Sequence, residues 1–193
     1  WATAYTDAKD ALTAALASED RTLYVAAGVY PLSSQAAVGA GTLKIYGGFA
    51  GVDGETLEQR NTKANQSIFT GDKKGNDCYI HYELSTNAPS PSVTKTITGA
   101  PMVSNGRFNL PPDYTGEYDI YAAANNSDTG IELFKDNHSS ALFTFSNGAT
   151  FVLDGIYLIG YRSQLFGASG TSTSVTINDC RFYANRGASG IFS

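Results

Sequence analysis

Five tyrosines, Tyr79, Tyr82, Tyr114, Tyr118 and Tyr121, gather in one stretch of the chain and are its candidate binding residues. A tyrosine offers a rigid apolar ring with a hydrogen-bonding tip, which suits a sugar face or a protein surface. The same rings would equally serve as a small core that packs this stretch onto the rest of the chain. Both readings stand at this point. Catalytic candidates are sparser. Asp154 and Asp179 fall near equivalent positions of a repeat that aligns Asp154 with Asn178 and Gly155 with Asp179. Paired carboxylates can hydrolyse a glycoside, or hold a cation while a basic residue accepts a proton. Two acids in a Gly-rich bend are also ordinary turn formers, and Arg162 and Arg181 read as surface residues.

The remaining chemistry is weaker still. Asp136-Asn137-His138 sets an acid beside a base, but no single serine stands out as a nucleophile. His81 reads as structural. Asp72-Lys73-Lys74-Gly75-Asn76-Asp77 has the carboxylates of a cation loop without the EF-hand spacing, and reads as a turn. Neither a glycine-rich phosphate loop nor an HExxH zinc motif occurs. No catalytic residue, metal ligand or cofactor is assigned.

The 193 residues are 42% hydrophobic and only 16% charged, with 20 Gly and 12 Tyr. That balance suits a β-rich, turn-rich extracellular domain with a core of its own. A net charge of −5 with no basic stripe argues against nucleic acid as a partner. No apolar run is long enough for a membrane-spanning helix. The chain opens at Trp1 without Met or a basic-then-apolar leader, so any signal peptide is expected to have been removed. Cys78 and Cys180 make no framework. Cys180 falls where Ile156 falls one repeat earlier, as a small buried hydrophobe would; a Cys78–Cys180 disulfide is the alternative.

The elements that must position these residues show in the spacing. Residues 150–159 and 174–183 are near-copies 24 residues apart, with Phe151, Leu153, Ile156 and Leu158 falling on Val175, Ile177, Cys180 and Phe182. Apolar residues alternate, skip one position at Gly155 or Asp179, then alternate again, as in half-buried strands joined by a bend. Leu142-Phe143-Thr144, Leu165-Phe166-Gly167 and Ile191-Phe192-Ser193 mark another repeated position, and Thr22–Val25 matches Thr42–Ile45 at an offset of 20. Such a period predicts a β-solenoid with coils of 20–26 residues. Residues 7–18 carry the stripe Ala8, Ala11, Leu12, Ala15, Leu16 behind Thr6 as N-cap, and predict an amphipathic helix that caps the first coil. Residues 1–20 are then the cap, 22–72 the first coils, 73–140 an insertion or small subdomain, and 141–193 further coils. The proline-rich insertion is expected to hold strands at 79–84 and 117–122. The last coil, open at Ile191-Phe192-Ser193, is expected to continue in a longer chain or pair with another.

Several stretches carry a resemblance. Trp1–Tyr5 leading into Asp10-Ala11-Leu12, then Tyr24–Tyr30, Ile45–Gly51, Arg60-Asn61 and Thr70-Gly71-Asp72, resemble the right-handed parallel β-helix surface proteins of Gram-negative bacteria. Phe182-Tyr183-Ala184-Asn185, and more loosely Gly187–Ile191, are similar to the repeat of chlamydial polymorphic outer-membrane proteins, whose passengers have a pectin-lyase-like fold. The resemblance covers residues 1–72 and 141–193. It implies a right-handed parallel β-helix, secreted or displayed on the bacterial surface as an adhesin or stalk, without a cofactor. The partner expected is a glycan or a cell-surface protein. The alternative function is a polysaccharide lyase or glycoside hydrolase on the same fold.

Overall fold

The computed structural model describes residues 1–85, 92–110, 120–123 and 137–185. Helix α1 spans Ala8–Ala17, followed by β1 (Thr22–Ala26), β2 (Gly28–Pro31), β3 (Ala36–Val38), β4 (Gly41–Phe49) and β5 (Ser67–Thr70). Next come β6 (Cys78–Ser85), β7 (Ser92–Pro101), β8 (Val103–Ser104), β9 (Arg107–Phe108) and β10 (Ile120–Ala123). The chain continues through β11 (Phe143–Phe145), β12 (Ala149–Asp154), β13 (Ile156–Ile159), β14 (Phe166–Ala168), β15 (Ser174–Asn178) and β16 (Arg181–Tyr183).

These elements correct the expectation of an all-β chain wound as a single right-handed parallel β-helix. The protein is mostly β with one helix, and its strands are divided among several small sheets. Three are parallel, with orders β1-β4-β12-β15, β16-β13-β5-β2 and β14-β11-β3; the other two, β10-β6-β7 and β8-β9, are antiparallel. The repeat set strand pairing but not one continuous architecture. Bends between strands break the hydrogen-bond ladder into separate sheets, and β6, β7, β8, β9 and β10 leave the period for antiparallel pairing. Gly155 shows the bend physically. Its φ of +72° lies in the left-handed region that glycine enters without a Cβ clash, and it turns β12 into β13.

Within the sheets the 24-residue offset is direct parallel pairing, as in Phe151↔Val175, Leu153↔Ile177 and Leu158↔Phe182. The offset of 20 near the start is corrected to 22, since Leu23 pairs with Ile45 and not Leu43. A slip of two residues keeps every side chain on its own face, so alternation is satisfied by either register. Phe143 pairs with Phe166 as expected; Ile191-Phe192-Ser193 lies outside the described residues.

Helix α1 begins one residue later than expected. Asp7, not Thr6, is the N-cap, its carboxylate accepting from the backbone N–H of Lys9 and Asp10. Its buried Ala8, Leu12 and Ala15 join one core cluster with Val25, Leu43, Ile45, Phe151 and Leu158. It contacts β1 and β3, which are outermost strands of their sheets, so it closes that end of the core. A second cluster, Ile68, Tyr79, Met102, Phe108, Tyr157 and Ile159, seats the antiparallel region against β5 and β13. Cys78 and Cys180 are not joined to each other in a disulfide. Burial pushes the Cys180 thiol up to about 11, so it is protonated at neutral pH. Among the described residues, no helix is long and apolar enough to cross a membrane.

Candidate functional site

Of the five sequence-selected tyrosines, Tyr79 has a described side chain. Tyr79 is buried in the second core cluster, its ring 6.5 Å from that of Phe108, and burial raises its phenol above the ordinary range. Tyr82 lies opposite Ile120, and Tyr121 opposite His81, so the two tyrosines are not cross-strand partners. Tyr114 and Tyr118 lie outside the described residues.

A different set of rings gathers at the surface. Strand alternation turns Leu23, Val25 and Ile45 toward the core and leaves Tyr24 and Tyr46 on the outer face, where they pair in register. Their rings stack at 6.1 Å, and Tyr24 meets Phe49 edge-on at 5.3 Å. Trp1 lies 5.8 Å from Phe49. Trp1 and Tyr24 border both a cavity of about 160 Å³ against α1 and an open groove of about 450 Å³ that runs past Glu55, Thr56 and Glu58. Glu55 in turn borders a shallower depression of about 300 Å³ with Asp53 and Gln59. Tyr24 remains 47% exposed and Tyr5 60%, so these rings are available to a ligand, while Phe49 is buried beneath Tyr24 and Trp1. The sequence held half of this signal, because alternation alone turns Tyr24 and Tyr46 outward. The approach of Trp1 and Phe49 depends on how the chain returns.

Electrostatics around the groove are well defined. Glu55 accepts from the backbone N–H of Ala50 and Gly51, which fixes its carboxylate. A hydrogen bond from Thr56 holds the Glu58 carboxyl below its ordinary value. The Trp1 α-amino group pairs with Asp53.

The paired acids are adjacent but already engaged. Asp154 pairs in register with Asn178, and its carboxylate meets the Arg60 guanidinium at 2.8 Å. Arg60 also lies 5.7 Å from the Tyr46 ring centroid and donates to the Gly47 carbonyl. Asp179 accepts from the Thr62 hydroxyl and lies 3.1 Å from Arg181. The Thr62 hydrogen bond, then Arg181 and Arg60, hold the Asp179 carboxyl below its usual range against some desolvation. Hydrolysis by paired acids needs both carboxyl groups turned to the substrate, and here each is taken up by Arg60, Thr62 or Arg181. The visible role of the cluster is to clamp the segment carrying Arg60 and Thr62 onto the corners after β12 and β15.

The Asp72–Asp77 stretch is a turn built on a carboxylate. Asp72 accepts from the backbone N–H groups of Lys74, Gly75 and Asp77. Asn137 donates to the Asp77 carboxylate at 2.6 Å and to the Gly160 carbonyl at 2.8 Å. Among the described residues, no group of three or more His, Cys, Asp or Glu is placed to hold a metal ion.

His138 is only 5% exposed, and its backbone bonds the Gly71 carbonyl and the Arg162 N–H. Desolvation lowers its pKa, with Lys73 adding to the effect and the backbone of Ala141 and Ser33 opposing it. The unfolded chain therefore takes up a proton near pH 6.5 that the folded chain resists. Stability due to this group is complete above that pH and declines as pH falls through it. A thermal melt should drop between pH 7.5 and pH 5.5, and His138→Asn should flatten that slope. An equal slope in the variant would assign the effect to other groups.

Asn185 has a visible structural job. Its side chain accepts from the Tyr161 N–H and donates to the Leu158 carbonyl, bridging to the preceding repeat. No protein-family model, curated protein or solved structure matches the chain, so the resemblance to bacterial surface proteins stands on its motifs alone.

Proposed function

We propose that this chain is a secreted or cell-surface protein that binds glycan without chemistry, as an adhesin or a structural stalk. The observation that carries this reading is the open groove bordered by Trp1 and the half-exposed ring of Tyr24, which is backed by Tyr46 and the buried Phe49. Aromatic faces stack on the C–H faces of sugar rings, and the flanking carboxylates and Thr56 accept and donate hydrogen bonds to hydroxyls. The turn-rich, weakly charged composition supports an extracellular setting. The motif resemblance supports display on a bacterial surface.

The tyrosine-bearing stretch 73–140 remains a second contact region in this proposal. Deleting it is a poor test, because Tyr79, Met102 and Phe108 share a core with Ile68 and Tyr157. Point substitution is cleaner. Tyr24→Ala removes an exposed ring and should weaken binding to the best ligand on a glycan array by about tenfold, or roughly 1.4 kcal/mol. The melting curve checks that the variant still folds. Unchanged affinity in a folded Tyr24→Ala protein would remove the groove as the site, and binding to proteins alone would redirect the reading to protein recognition.

A further inference from the structure

Independently of the glycan reading, we propose that Asn105 is a site of spontaneous covalent modification, deamidation through a cyclic imide, and that the fold leaves it open while protecting its sequence twin. The chain holds two Ser-Asn-Gly triplets, Ser104-Asn105-Gly106 and Ser146-Asn147-Gly148. The glycine favours the reaction because no Cβ screens its backbone nitrogen. Asn and Gly are exposed in both triplets, so exposure does not separate them. Hydrogen bonding does.

Asn105 and Gly106 form the two-residue tip between β8 and β9, where Ser104 pairs with Arg107. Their φ values of +51° and +72° belong to the tight hairpin turn that favours Asn-Gly. Among the described residues, neither the Asn105 amide nor the Gly106 N–H has a hydrogen-bond partner. Beyond its chain neighbours, nothing lies within 4 Å of where a Cβ on Gly106 would stand. At Asn147 the same groups are tied to the next repeat. Its side-chain oxygen accepts from the Thr171 N–H at 2.8 Å, and the Gly148 N–H donates to the Ser172 carbonyl at 3.1 Å. Ring closure there must first break both bonds, whereas at Asn105 it needs only the tip to leave its left-handed conformation.

The chemistry needs only water as co-reactant. The Gly106 nitrogen gives up its proton and attacks Asn105 Cγ. A C–N bond forms, the Cγ–Nδ2 bond breaks, and Nδ2 departs as ammonia. Water then opens the imide at either carbonyl, leaving aspartate or isoaspartate with no change of oxidation state. Either product sets a third carboxylate at the open cavity of about 240 Å³ that Asn105 lines together with Asp72 and Asp77. Isoaspartate also adds a methylene to the main chain, which a two-residue turn cannot absorb without losing its register.

Peptide mapping by mass spectrometry of the full chain, aged at mildly alkaline pH, tests this. The Asn105 peptide should gain one dalton and become a substrate for isoaspartyl methyltransferase. It should do so roughly tenfold faster than the Asn147 peptide, which two hydrogen bonds hold. In denaturant the two rates should converge, because the fold no longer distinguishes the triplets. Asn105→Gly keeps a residue suited to positive φ and should abolish the methylation signal at that peptide, with the melting curve showing that the variant folds. Comparable rates at both sites in the folded chain overturn the proposal. So does an Asn105 that stays intact in the folded chain while the denatured chain converts. A tenfold gap that persists in denaturant overturns it as well, since the neighbouring residues and not the structure would then set the rates.

Discussion

Phe151→Ala is expected to lower unfolding stability by about 3–5 kcal/mol, the range for removing a fully buried aromatic side chain. Phe151 is inaccessible to solvent and sits where two parallel sheets face each other. Its ring lies 4.8 Å from Phe143, 5.2 Å from Phe145 and 6.2 Å from Phe166. Phe143 and Phe166 stack at 5.9 Å across their own strand pair. Removing the ring leaves a cavity that these neighbours cannot close without abandoning that stack. Domains of this size have roughly 5–15 kcal/mol in total, so one substitution removes a large share. Denaturant titration followed by fluorescence or circular dichroism measures it. A loss below about 1 kcal/mol would mean that the core relaxes around the gap, contrary to the packing described.

Gly47→Ala is expected to cost about 3 kcal/mol for the opposite reason, overfilling rather than emptying. A Cβ at Gly47 would stand 2.5 Å from the Gly155 carbonyl, 2.7 Å from the Ile156 side chain and 2.9 Å from Ser67 Cβ. The first of these atoms is backbone, at the bend joining β12 to β13, and cannot swing aside. β4 would have to back away from β12, straining the pairs Ile45↔Leu153 and Tyr46↔Asp154. Gly39→Ala is the matched control, since nothing lies within 4 Å of its added methyl and its φ is not in the left-handed region. It should fall within about 0.5 kcal/mol of the parent. Equal melting temperatures for both variants would show that the close approach at Gly47 is not a constraint.

The two substitutions probe the frame that holds the aromatic groove. Tyr24 and Tyr46 share a face only because β1 and β4 pair in the 22-residue register. Gly47 and Gly48 then turn the chain to Phe49, which meets both Tyr24 and Trp1. A loosened β4 should therefore weaken glycan binding along with stability, whereas Phe151→Ala, far inside the core, should act on stability alone.

How much could be read beforehand differs from element to element. The strand around Phe151 is legible because alternating burial writes a period of two into its residues, and its 24-residue offset to the strand of Val175 is direct pairing, although Val175 itself stays exposed. Helix α1 was legible because its alanines and leucines recur at helical spacing, though its cap was one residue off. The density of tyrosines along a sequence does not report their burial. Tyr79 turned inward because Phe108 and Tyr157 pack beside it. Tyr24 and Tyr46, far apart in the chain, make the exposed stack.

The amino-acid sequence by itself determined which side of β1, β4 and β12 faces the core, where α1 forms and which segments pair 24 residues apart. These are local or repeated hydrophobic patterns, and burial enforces them whatever the rest of the chain does. Only the tertiary structure decided the 22-residue register, the division into several small sheets and the meeting of Trp1, Tyr24, Tyr46 and Phe49. A two-residue slip, a break in a hydrogen-bond ladder and the return of a distant ring all leave the inside–outside pattern unchanged, so that pattern cannot choose among them.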